Sequence, residues 1–72
     1  MKFRFTHHAE YRVFIERNIS AEAIKETIRT PDTVTALPDG VIKCSKKLEA
    51  GMLTVVYCKD KNTYIIITAY FK

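Results

Sequence analysis

The chain is poor in glycine, proline and cysteine, with two of each among its 72 residues. Gly40 and Gly51 stand apart from one another, so no glycine-rich loop can cradle a phosphate, and nucleotide binding of the P-loop or dinucleotide kind is excluded. Cys44 and Cys58 have no CxxC neighbour and lie far from either histidine, which argues against zinc. In a reducing compartment such cysteines are packing residues. No apolar run approaches the roughly 20 residues needed to span a bilayer. The opening Met1-Lys2-Phe3-Arg4-Phe5-Thr6-His7 alternates basic with apolar residues and lacks the apolar stretch of a signal peptide. A cytoplasmic location without a membrane partner is therefore expected. Repeats, linkers and low-complexity segments are missing as well.

What is present makes one small basic domain, residues 1–72. A hydrophobic fraction of 47% argues against disorder. The net charge of +4 is uneven: residues 1–36 carry six basic and five acidic side chains, residues 37–72 six and three. That surplus favours an acidic partner, nucleic acid or protein.

The pattern begins with alternation over residues 3–6, a short opening strand. Thr6 can then cap a helix over residues 7–18, with Ala9, Tyr11, Phe14 and Ile15 as its apolar stripe and Asn18 as a left-handed stop. Ser20 caps a second helix, Ala23, Ile24, Thr27 and Ile28 form its buried face, and Pro31 ends it. Thereafter the chain reads as strands: residues 33–37, 41–49, 53–59 and 63–70, separated by Pro38-Asp39-Gly40, Ala50-Gly51 and Lys59-Asp60-Lys61-Asn62. The last strand, with Tyr64-Ile65-Ile66-Ile67, reads as central and covered on both faces. The expected class is α+β: two N-terminal helices on one face of a three- to four-stranded antiparallel sheet, with a short N-terminal strand in addition. A turn at Ala50-Gly51 would set Cys44 opposite Tyr57 and Lys43 opposite Cys58, with Lys43, Ser45, Lys47 and Thr54 facing away from the helices and Lys46 towards them.

Both histidines and two arginines crowd the first helix. Cleaving RNA without a metal needs a base for the 2′-hydroxyl, cations for the charged phosphorane and an acid for the leaving oxygen. His8 and Arg12, four apart, share a helix face; an ion pair between Arg12 and Glu16 is the bland alternative. His7 and His8 point about 100° apart, and no carboxylate is spaced to complete a metal set. Lys43, Lys46 and Lys47 could bind phosphate, or merely keep an edge strand soluble. No metal and no cofactor are expected.

The run Thr6-His7-His8-Ala9-Glu10-Tyr11-Arg12, followed by Glu16-Arg17-Asn18-Ile19-Ser20, resembles the N-terminal signature of a small prokaryotic domain-of-unknown-function family, DUF4258. Thr30-Pro31-Asp32, Leu53-Thr54-Val55-Val56-Tyr57 and Ile66-Ile67-Thr68-Ala69-Tyr70 extend the resemblance over essentially the whole chain. Two features depart from the pattern: Arg12 and Arg17 are five apart where the signature has four, and Asn18 stands where it has glycine. Such domains are similar to the RelE/ParE toxin superfamily, which implies a toxin-antitoxin type of protein. The implied activity is that of a metal-independent ribonuclease on mRNA or ribosome-bound RNA, with an acidic antitoxin as partner, as monomer or homodimer. The resemblance places the site at His8, Arg12, Arg17, Thr68 and Tyr70. Joined to the chemistry above, this gives His8, Arg12 and Tyr70 as catalytic candidates and Arg17, Lys43, Lys46, Lys47 and Thr68 as RNA-binding ones. The competing expectation is a non-catalytic interaction module whose basic sheet face binds an acidic protein or nucleic acid.

Overall fold

The computed structural model describes residues 2–72, so Met1, the first residue of the expected domain, lies outside the described residues. In chain order the elements are β1 (Lys2–Phe5), α1 (His7–Glu10) running on as a π-helix over Tyr11–Glu16, α2 (Ala21–Arg29), β2 (Thr33–Ala36), a 3₁₀ turn (Pro38–Gly40), β3 (Val41–Leu48), β4 (Gly51–Asp60) and β5 (Thr63–Phe71). The class is α+β. The sheet, however, has five strands in the order β1-β5-β4-β3-β2, and it is mixed, because β1 runs parallel to β5. The expected three- to four-stranded antiparallel sheet is thus enlarged at one edge. No local pattern announces a pairing between strands at opposite ends of the chain. Phe3 secures it through a contact distant in sequence, stacking on Tyr64 at 5.4 Å, while Phe5 packs on Phe14 of the first helix at 4.8 Å.

Local chemistry sets the helix ends. Thr6 Oγ1 accepts from the Ala9 amide and Ser20 Oγ from the Ala23 amide, both at 3.1 Å. Asn18 ends the first helix with φ 52°, in the left-handed region asparagine tolerates. Lys46 closes the other end of α2, its Nζ donating to the Thr30 carbonyl at 2.9 Å and the Thr30 hydroxyl at 3.1 Å. A cation there satisfies an orphan carbonyl and complements the helix dipole.

Both helices cover one face of the sheet. Val13, Ile19, Ile24 and Ile28 pack with Cys44, Leu53, Val55, Tyr57, Ile66 and Ala69 in a single core. The β3–β4 turn falls at Glu49-Ala50, one residue earlier than expected. Cys44 therefore faces Val55, Lys43 faces Val56 and Ser45 faces Thr54. Gly51, at φ 136°, instead opens β4 opposite Leu48. Each partner moves by two positions, an even number, so no side chain changes face. Lys43, Ser45, Lys47 and Thr54 lie on the side away from the helices. There Thr54, fully buried, is 3.0 Å from the Ser45 hydroxyl.

β5 departs from its expected burial. It lies between β1 and β4, yet only one face is covered by helices. Its pairing with β4 slips where Val56 faces Thr68 and Tyr57 faces Ile66. Ile67 is the extra residue of this β-bulge and stays 38% exposed. Before it Tyr64 and Ile66 face the helices; after it Ala69 does. A continuous apolar run is thereby reconciled with a one-sided core.

Burial also governs thiol chemistry. The Cys44 Sγ donates weakly to the Thr27 carbonyl at 3.8 Å, and desolvation pushes its pKa from the ordinary 9.0 up to about 11. Burial also raises the Tyr57 hydroxyl, with smaller contributions from Cys44 and Tyr64. With folded values above unfolded ones, the stabilisation is complete below the unfolded pKa and is lost as pH rises through the folded one. Denaturant titrations should show stability falling from about pH 9 to about pH 11, a slope that Cys44→Ala reduces. Near neutral pH the half-buried Cys58 should be alkylated well before Cys44; equal rates in the folded protein would contradict this burial.

Candidate functional site

The first helix presents a different face from the expected one. Ala9 and Val13, four apart, are buried, while Tyr11 and Ile15 are 58% and 68% exposed. With His7, His8, Glu10 and Phe14 these two line an open groove of about 440 Å³. The expected apolar stripe of Ala9, Tyr11, Phe14 and Ile15 is thus only partly covered, because spacing alone cannot say which stripe faces the sheet. His8 and Arg12 are both exposed.

From Tyr11 the helix widens. The Arg17 amide donates to the Arg12 carbonyl, five residues back, at 2.9 Å. The Ile19 amide returns to the Val13 carbonyl at 2.9 Å, and both these side chains are buried. An extra residue between two fixed core contacts is thus absorbed as a π-turn, in which the residue five along takes the place held by the fourth in an α-helix. The five-residue spacing of Arg12 and Arg17, which on an ideal α-helix separates them, here sets them one turn apart. Arg17 regains a place beside Arg12.

Arg17 also reaches the sheet. Its Nη1 donates to Thr68 Oγ1 and to the Ala69 carbonyl, each at 3.3 Å. β1 pairs with β5 only as far as Ile66, so beyond that point the β1-side edge of β5 is left to the helix. Arg17 covers part of this edge just after the bulge. A π-turn and a β-bulge, two irregularities each over-represented at functional sites, meet at one guanidinium. Both contacts are long for N–H···O bonds and come from one terminal nitrogen of an exposed side chain. A guanidinium so held keeps donors for an anion, which would bind it more tightly through charge-assisted bonds.

The other candidates fall into two groups. Thr68 and Tyr70 face away from the helices, paired with Val56 and Thr54. Lys43 lies in the same row as Thr68, two strands away across Val56 and so about 10 Å along the sheet. Lys47 is exposed on the same face, opposite Met52. Lys46 points the other way, its ammonium held at Thr30. Arg17 and Thr68 thus meet at the free edge of β5, with Arg12 one π-turn back along the helix, Tyr70 on the open face and Lys43 and Lys47 across it. Among the described residues the imidazoles of His7 and His8 make no side-chain hydrogen bond, and no cluster of three metal-ligating side chains forms.

Such a constellation defines a small α+β domain with an arginine seated at a sheet edge. The profile of the family described as Domain of unknown function (DUF4258) matches residues 5–71, and the chain belongs to that family. No curated protein and no solved structure matches it. The matched span holds both arginines, both irregularities and Thr68.

If the π-turn only absorbs one surplus residue, deleting the exposed Ile15 restores α-helical winding with Arg12 and Arg17 still one turn apart. The deletion variant should unfold at a denaturant midpoint no lower than that of the unaltered protein. A loss exceeding about 1 kcal/mol, large for an exposed position, would show that the π-turn is needed for packing.

Proposed function

We propose that this protein binds RNA at the Arg17–Thr68 junction and the adjoining open sheet face, and acts there as a metal-independent ribonuclease of the toxin-antitoxin type, similar to the RelE/ParE superfamily. The observation that carries the reading is the seating of Arg17: exposed, loosely held at 3.3 Å, one π-turn from Arg12 and against Thr68. Two guanidiniums near one edge suit a phosphodiester, whose oxygens accept their paired N–H groups. In this reading Arg12 and Arg17 hold phosphate and stabilise the phosphorane, His8 exchanges the proton of the 2′-hydroxyl or the leaving oxygen, and Tyr70 supports the site. Thr68 positions Arg17, and Lys43 and Lys47 guide the neighbouring backbone. Lys46 is assigned to closing α2 rather than to RNA. An acidic antitoxin would compete for the same cations, and the ribosome would supply RNA in its natural setting.

A second reading is a non-catalytic module that uses this surface to bind nucleic acid or an acidic protein. It is favoured by the imidazoles, because no side chain orients either one among the described residues, whereas a general base is held by its neighbours.

Binding and cleavage of an unstructured RNA, assayed with chelator and with or without ribosomes, separates the two. The Arg12→Ala, Arg17→Ala double variant should bind far more weakly, with a salt dependence shallower by about one unit per lost phosphate contact. His8→Ala should bind as before and cleave about 10²–10⁴-fold more slowly. Binding without cleavage would leave the second reading; no binding would remove the first reading and the nucleic-acid form of the second.

A further inference from the structure

The opposite end of β5 from Arg17 gathers donors of another kind. There the opening of β1, the close of β4 and the β4–β5 turn bring Lys2, Lys59, Asn62 and Tyr64 round an open pocket of about 290 Å³. Tyr64 pairs with Phe3 on one side and Lys59 on the other, so the three form one row on the helix-covered face. The Tyr64 ring stacks on Phe3 at 5.4 Å, and the Lys59 ammonium stands over it at 5.3 Å. That cation–π contact steadies a long side chain without engaging a carboxylate. Lys2 starts from the neighbouring row, and its amide donates to the Asn62 carbonyl at 3.3 Å, which ties β1 to the turn. The turn itself is strained. Lys61 takes φ 57°, in the left-handed region that asparagine tolerates better than lysine, yet asparagine is the next residue. The reverse order would relieve the strain and take the Asn62 side chain out of the pocket. Among the described residues no carboxylate lines it. The acid nearest in the chain, Asp60, shares the row of Thr63 and Lys2, two strands from Lys2 and so about 10 Å away.

We infer that this pocket is a second anion site, separate from the Arg17 edge, and that it takes a phosphomonoester. Two ammoniums, a carboxamide and a phenol line it; each can donate a hydrogen bond, and two carry positive charge. A monoester near neutral pH carries close to two negative charges and three strong acceptor oxygens, which this set answers in both charge and number. A diester, with one charge and two free oxygens, leaves an ammonium unmatched. With Phe3 stacked on its ring and Lys59 over it, Tyr64 is already engaged, so recognition falls on the phosphate rather than on a stacked base. Two sources share this chemistry: the phosphorylated end of a nucleic-acid strand and a small phosphorylated molecule. Tyr64 stands four residues before Thr68, about 13 Å along β5, and faces the helices where Thr68 faces away. One phosphate therefore cannot occupy both places, and the inference is independent of any RNA chemistry at the Arg17 edge.

Titrating the unaltered protein with inorganic phosphate at constant ionic strength, followed by chemical shifts of backbone amides and of lysine and asparagine side chains, tests the inference. The changes should centre on the Lys2 and Lys59 ammoniums, the Asn62 carboxamide and the amides of residues 61–64, and should saturate together. The Lys2→Gln, Lys59→Gln double variant should bind phosphate at least about tenfold more weakly. Arg29→Gln, which removes a charge at the C-terminal end of α2, should bind as the unaltered protein does. Circular dichroism and melting confirm that the variants fold, and the titration of the unaltered protein needs no variant. A short RNA with a 5′-phosphate, the same RNA with a 5′-hydroxyl, and adenosine 5′-monophosphate then distinguish the sources. Tighter binding of the phosphorylated RNA than of the nucleotide assigns the pocket to a strand end; binding of the nucleotide at least as tight assigns it to a small molecule. Equal effects of the two RNAs at residues 61–64, with no effect of the nucleotide there, would overturn the preference for a monoester. Phosphate-induced changes confined to Arg12 and Arg17, spread evenly over all the lysines, or unaltered in the double variant would overturn the site.

Discussion

Arg17 holds the first helix against the last strand just where β1 ceases to cover β5, and the arrangement of the site follows from that contact. On one side is a π-turn, required because Val13 and Ile19 are both buried with one residue too many between them for regular winding. On the other is a bulge at Ile67, which turns Ala69 inward and Thr68 and Tyr70 outward. The guanidinium joins the two through bonds of 3.3 Å to Thr68 and to the Ala69 carbonyl. A buried carbonyl needs a donor, so part of this contact is structural. But its length and exposure mean the protein commits little free energy to it. Tight structural caps here look different: Lys46 approaches the Thr30 carbonyl to 2.9 Å.

Much of the fold was legible. The caps at Thr6 and Ser20, the left-handed Asn18 and the Pro31 boundary follow from local chemistry, and the hairpin faces survived a turn misplaced by one residue because parity was kept. The parallel β1–β5 pairing was not legible, since no short-range signal links residues some sixty positions apart. Nor was the bulge: Ile65, Ile66 and Ile67 look alike in sequence, and only pairing with β4 shows which is surplus. The run of isoleucines therefore suggested a strand covered on both faces.

The site was legible as residues but not as geometry. The five-residue interval between Arg12 and Arg17 looked like a reason to separate them. In the structure it is the reason for the π-turn that realigns them. The alternation of β3 already divides Lys46 from Lys43 and Lys47 in the sequence, but its seat at the Thr30 carbonyl was not legible. Tyr11 and Ile15 passed for core because two apolar stripes on one helix compete, and only the sheet decides between them. Membership of the DUF4258 family accounts for the shared motif without naming a reaction, so the chemistry rests on what these side chains can do together.

The central claim is that Arg17 is poised for a phosphodiester and is more than a clasp. Nitrogen-15 chemical-shift mapping, including the arginine side chains, during titration with a short unstructured RNA tests it most directly. The account predicts the largest changes at the Arg17 and Arg12 guanidiniums and at the amides of Ile67, Thr68 and Ala69, saturating together. Changes spread evenly over the lysines, with Arg17 unmoved, would contradict it.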